Sequence, residues 1–319
     1  MATESVDQRD EMPSWILAFG PFLVIGAIIA LGLVAMRTYD FESILVTGTA
    51  ESLLIMTGIG FVAGILPVAV GMLWFPYVRR LEVEWVHAVL AFSAGILAFI
   101  AVEMADESVG HASSVSAAPL QSSVGLSGPA MTFVFALVAA LLTVVAMELG
   151  SRWQKARTAT TGGRGLVIAY LVAIGLGLHS VGEGLAIGAA FANQNAGLVI
   201  LFTVGFIMHN VTEGPAVIAA IARDHQAPPL RHFAALGFLA GGGVIVGGWI
   251  GTFATSSFLA AIVFAIAFGA IVQVVWEVIG LVRVEAGNIF SRRIVAAFVV
   301  GAAVIFFLED VVVEGWLGL

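Results

Sequence analysis

Two histidine-carboxylate pairs hold the chemistry in this sequence. The first lies in Gly-Leu-His179-Ser180-Val-Gly-Glu183-Gly184-Leu-Ala-Ile-Gly188, the second in Met-His209-Asn210-Val-Thr212-Glu213-Gly214-Pro215-Ala-Val. Overlaid, both read His-x-Val-x-Glu-Gly-x-Ala. Residues i and i+4 share a helix face, so His179 with Glu183 and His209 with Glu213 each form a two-ligand unit one turn long. Both units sit inside apolar runs long enough to cross a bilayer. An ionisable group there costs about 2.5 to 3.5 kcal/mol on insertion scales, so four of them close together need mutual compensation. A divalent cation held between the two helices would supply it. A lone intramembrane histidine serves packing as readily as ligation, but two such units on consecutive helices point to ligation.

The elements that must position these groups are membrane helices. The chain has 319 residues, 60% hydrophobic and only 11% charged, with a mean hydropathy of +1.06. Soluble domains carry about 25% charged residues, so the expected class is an all-α membrane protein. Apolar runs predict nine transmembrane helices at 13–36, 52–77, 83–104, 129–150, 165–191, 196–222, 232–255, 258–282 and 294–313. Residues 1–50 are expected to hold a polar tail, an extra first helix and an external connector, and 51–319 the eight-helix core. The run 13–36 lacks the basic leader and small-residue cleavage site of a signal peptide, which predicts a retained helix. The 37 glycines fit close helix packing in lipid, with Gly184 and Gly188 forming a GxxxG pair. No cysteine is present, so any metal is held by nitrogen and oxygen donors. A net charge of -8 argues against nucleic acid as a partner.

Basic residues set the expected orientation, because cytoplasmic segments collect Lys and Arg. With the N-terminus inside, Arg37 alone of the 13 basic residues falls outside. The protein is therefore expected in the cell membrane, multi-pass, with a cytoplasmic N-terminus and an external C-terminus. The uncharged segment 110–128 is expected to be a flexible external connector. Under this topology the two motifs run through the membrane in opposite directions, as in an inverted pair with its site at the midplane. Pro215 cannot bond to the carbonyl of Val211, which predicts a free oxygen near Glu213.

Other polar residues have two readings each. Asn210 is a candidate neutral oxygen ligand, whereas Ser180, its counterpart on the first helix, more often bonds to its own backbone. Gln273 and Glu277, one turn apart in the eighth predicted helix, form either a helix-helix hydrogen bond or part of an ion pathway. Glu103, next to Met104, is an entry ligand or an interfacial carboxylate. Glu148 and Arg152 form an ordinary surface pair at i, i+4.

At the two motifs the sequence resembles the ZIP (Zrt/Irt-like) family of divalent metal transporters, in its prokaryotic GufA-like branch. The resemblance extends to Tyr77-Val-Arg79-Arg80, to Leu90-Ala-Phe-Ser-Ala-Gly95-Ile-Leu and to Phe268-Gly-Ala-Ile-Val-Gln-Val-Val-Trp-Glu277. It implies an eight-helix core with both ends outside, matching predicted helices two to nine, and places ligands at His179, Glu183, His209, Asn210 and Glu213. Ser180 stands where the family usually has Asn, and Asn210 where an acid is common. The family's Glu-Pro on the sixth core helix has no counterpart in Ala240-Gly-Gly-Gly-Val-Ile-Val-Gly247. These departures imply a single principal metal site.

The function expected is import of a divalent transition metal as transported substrate, zinc first, with iron, manganese or cadmium as rivals. No organic cofactor and no enzyme activity are expected. The partners expected are the ion, the lipid bilayer and, as an open option, a second copy of the chain. An intramembrane metal hydrolase is the rival class, since zinc with His and Glu ligands activates water. It lacks a His-Glu-x-x-His motif, a separate general base and a polar substrate loop. A structural metal staple would have no use for an acidic external rim or Pro215.

Overall fold

The computed structural model describes residues 49–78, 82–160, 165–218, 221, 228–286 and 288–308, with scattered positions at 23–30, 311 and 315. Among the described residues the protein is 88% helical and has no strand. The elements are α1 (Thr49–Gly60), a π-helical turn (Phe61–Ile65), α2 (Leu66–Val78), α3 (Val83–Ser113), a short α4 (Gln121–Val124), α5 (Gly128–Thr160) and α6 (Gly165–Ala192). There follow α7 (Ala196–Asn210), α8 (Glu213–Ile218), α9 (Leu230–Gly241), α10 (Gly243–Gly251), α11 (Ser257–Ala286) and α12 (Arg292–Phe307).

Seven helical stretches are long and apolar enough to cross a membrane. They match the second to eighth predicted spans, and two of them, Ala196–Ile218 and Leu230–Gly251, are each built from two consecutive helices. The expected count of nine is therefore not reached among the described residues. The predicted first span, 13–36, lies outside them apart from a few helical positions. The ninth, 294–313, falls on α12, and its last residues lie outside the described ones apart from helical positions at 308 and 311.

Several helices outrun their apolar cores. α3 continues nine residues past Met104 to Ser113. The acidic residues Asp106 and Glu107 end the hydropathic run, but carboxylates do not break a helix. The segment after α3 is also less of a free connector than its composition suggests. Val115 and Ala118 are buried against Met131, with Phe135 and Phe258 packed alongside.

Two kinds of contact assemble the bundle. α6 and α10 meet through glycine, backbone on backbone. A β-carbon at Gly184 would run into the Val244 carbonyl and one at Gly188 into that of Gly248. From the other side, Gly243 and Gly247 press on the carbonyls of Gly177 and Val181. The predicted GxxxG pair thus forms half of a reciprocal seam, the close approach that only residues without a β-carbon permit. Elsewhere the core is filled by large side chains. Ile96, Ile100 and Met104 of α3, Phe202 and Phe206 of α7, and Phe264 of α11 are all fully buried in one cluster. α5 is peripheral, with only 17% of its most apolar window buried. Its Leu137, Leu141, Leu142 and Leu149 face outward, as a lipid-contacting helix requires.

Candidate metal centre

Helix α6 and the α7–α8 pair position the two motifs. They are joined by the tight turn at 193–195, where the Asn195 side chain caps α7 by accepting from Leu198 N at 3.0 Å. His179 lies thirteen residues before the end of α6 and His209 thirteen after the start of α7. At 1.5 Å per residue both sit about 20 Å from the hairpin turn. Equal depth on antiparallel neighbours brings the imidazoles together, with ring centroids 6.1 Å apart.

The helix carrying the second motif breaks inside it. α7 ends at Asn210, Val211 and Thr212 form a turn, and α8 begins at Glu213. The Thr212 amide and hydroxyl both donate to the His209 carbonyl, at 2.8 and 2.7 Å. Pro215 thereby falls in the first turn of a new helix, where a missing N–H costs little, rather than in a helix interior. The Val211 carbonyl does not reach the site as expected. It packs on α2, where a β-carbon at Gly71 would run into it.

Donor atoms of His179, His209 and Glu213 all lie within 4.8 Å of one another. Glu213 Oε1 is 2.7 Å from His179 Nε2 and 3.1 Å from His209 Nε2, and Glu183 Oε1 is 3.9 Å from His209 Nε2. Asn210 Nδ2 donates to Glu183 Oε2 and to the Ala63 carbonyl, both at 2.9 Å. That carbonyl belongs to the π-helical turn. All five residues are buried, none more than 5% exposed. Yet Glu183 Oε1, Glu213 Oε2 and Asn210 Oδ1 have no hydrogen-bond partner, and His179 Nε2 has none beyond its close approach to Glu213 Oε1. Buried polar atoms are ordinarily satisfied, and each one that is not costs about 1 to 3 kcal/mol, more if charged. Unpaired oxygens beside two imidazoles and two carboxylates form a donor set that fits a divalent cation.

No family model matches this chain, and no curated protein does. What the site can do is therefore carried by its geometry.

A cavity of about 310 Å³ adjoins the cluster. His179, His209, Glu213, Thr212 and Ser93 line it together with Gln273, Glu277 and Ser151. Glu277 accepts from Ser151 at 2.8 Å and from Gln273 at 3.2 Å, and pairs with Lys155 at 2.8 Å. Glu277 thus makes the helix-helix hydrogen bond of one reading, to Ser151, and both residues also line the cavity. Glu148 and Arg152 form the expected exposed pair at 2.7 Å.

Not every candidate comes to the site. Met104 is fully buried in the apolar core, and Glu103 lies beside it, ten residues and about 15 Å along α3 from Ser93. Neither lines the cavity. Ser180 is fully buried against Gly243 of α10, its hydroxyl unpartnered. Neither Ser93 nor the Ala63 carbonyl has a direct signal in the sequence. A single serine among Ala91, Phe92, Ala94 and Gly95 was the available clue to the former; the latter depends on a π-helical turn.

Proposed function

We propose that the chain is a membrane transporter carrying a divalent transition-metal ion, zinc foremost, with iron, manganese or cadmium as rivals, from outside into the cytoplasm. The observation behind this is the buried His179, His209 and Glu213 cluster with unpartnered acceptors beside it. Glu183 and Glu213 balance the charge of one divalent ion, and a mixed imidazole and carboxylate set suits zinc, iron or manganese better than magnesium or calcium. The cavity leading away from the cluster favours passage over permanent retention, since a transported ion needs a labile, open coordination side. The cavity reaches Glu277, whose partner Lys155 belongs to the segment that the positive-inside rule assigns to the cytoplasm. An inside-negative potential favours entry by about 2.3 kcal/mol per charge per 100 mV. The likeness of both motifs to ZIP transporters supports the same function.

Zinc accumulation by proteoliposomes holding the purified protein tests the proposal. Wild type and Glu148→Ala should accumulate the ion, whereas His179→Ala and Glu213→Ala, at equal protein levels, should not. Equal uptake by all four, or none by wild type, would refute it.

A further inference from the structure

His209 makes a second contact that metal ligation leaves unused. Its Nε2 faces Glu213 at 3.1 Å, while Nδ1 meets the Ser93 hydroxyl at 2.6 Å. Ser93 belongs to α3, not to the helices that carry the candidate ligands, and is 1% exposed between apolar neighbours. Its oxygen is also 3.3 Å from Thr212 Oγ1. The Thr212 hydroxyl hydrogen is already committed to the His209 carbonyl, so toward Ser93 that oxygen can only accept. When Ser93 donates to Thr212, its oxygen presents a lone pair to Nδ1. Without an ion the Nε2 hydrogen donates to Glu213; once a metal takes its place the ring hydrogen rests on Nδ1 and the Nε2 lone pair binds the metal. Metal-binding histidines are commonly fixed in this way through the other ring nitrogen.

We infer that Ser93 is a positioning residue for the ion: by accepting the Nδ1 hydrogen it holds the His209 ring with the Nε2 lone pair turned to Glu183 and Glu213. This rests on His209 being a ligand, as proposed above. The bond reaches His209 from α3, so the ligand's orientation depends on how α3 packs against α7.

Equilibrium zinc binding to the full-length purified protein tests it, using Ser93→Ala, His209→Ala and the double variant. Ser93→Ala should weaken zinc binding about 10- to 100-fold, the usual range for a lost outer partner. The double variant should bind no more weakly than His209→Ala alone, because Ser93 acts only through that ring. In zinc-loaded wild type with ¹⁵N-labelled histidine, His209 should carry its hydrogen on Nδ1, and this signal should exchange faster with solvent in Ser93→Ala. Binding by Ser93→Ala within twofold of wild type or additive losses in the double variant would each overturn the inference while leaving His209 a ligand, whereas a hydrogen on Nε2 would overturn it by removing Nε2 as the donor atom. Unchanged affinity in His209→Ala would instead remove the ligand assignment, and the role of Ser93 with it.

Discussion

Replacing Asn210 with aspartate sets ion-free and ion-bound stability against each other. The Asn210 amide donates to Glu183 Oε2 and the Ala63 carbonyl, each at 2.9 Å. Aspartate at the same place faces two acceptors and has no hydrogen to offer. Two lost hydrogen bonds of about 1 to 1.5 kcal/mol each come to roughly 2 to 3 kcal/mol. Two charged carboxylates at the former bond distance would add a repulsion of about 6 kcal/mol at an effective dielectric of ~20. Side-chain rearrangement relieves part of this, so a loss of several kcal/mol is expected without an ion, a large share of a typical stability of about 5 to 15 kcal/mol. A bound divalent ion reverses the balance, because the added carboxylate then meets positive charge. Asn210→Asp should therefore melt well below wild type in chelator, yet gain more apparent Tm from saturating zinc, since stabilisation grows as RT ln(1 + [L]/Kd). Slower release in transport assays should accompany the tighter binding. Equal melting in chelator, or equal gains on adding zinc, would refute the geometry assigned to Asn210.

The glycine seam predicts that Gly247→Ala destabilises the protein by about 3 kcal/mol or more, since its β-carbon would strike the Val181 backbone, which cannot move aside like a side-chain tip. Gly58→Ala, where nothing lies within 4 Å, should instead stabilise by about 0.5 to 1 kcal/mol; thermal melting of both variants in one detergent checks the contrast. Because the chain has no native cysteine, an impermeant thiol reagent on intact cells should label Ser116→Cys and spare Asn288→Cys, and the reverse pattern would overturn the orientation and the import direction together.

The sequence disclosed the parts of the site that depend on helical repeat. A His-x-x-x-Glu unit has a fixed face, and two units on consecutive spans must meet when both lie at the same distance from the connecting turn, as His179 and His209 do. It also disclosed the apolar spans, since hydropathy suffices to locate them. What it hid depends on contacts across the bundle. Pro215 signalled a disturbance, but only packing shows that the helix stops five residues earlier, at Asn210, and that the Val211 carbonyl meets Gly71. Glu103 and Met104 were candidates for an entry near the external end of the helix, and neither lines the cavity. The Ala63 carbonyl was invisible, since every residue has one and only the π-helical turn makes this one available to Asn210.

The two glutamates, equivalent in the repeated motif, are unequal in the fold, and the inequality follows from the helix break. α6 runs unbroken through His179 and Glu183, so Glu183 stays on the helix face where Asn210 holds it, fully buried and away from the cavity wall. α7 stops between His209 and Glu213, and the new helix places Glu213 Oε1 within 3.1 Å of both histidines and on the cavity wall. One carboxylate is thus an anchor held by an amide, and the other stands between the imidazoles and open space. An ion held at this cluster would have a closed side at Glu183 and an open side at Glu213. Under the proposed transport function, the break at 211–212 gives the donor set one open side, which a symmetric cage of the same four residues would lack.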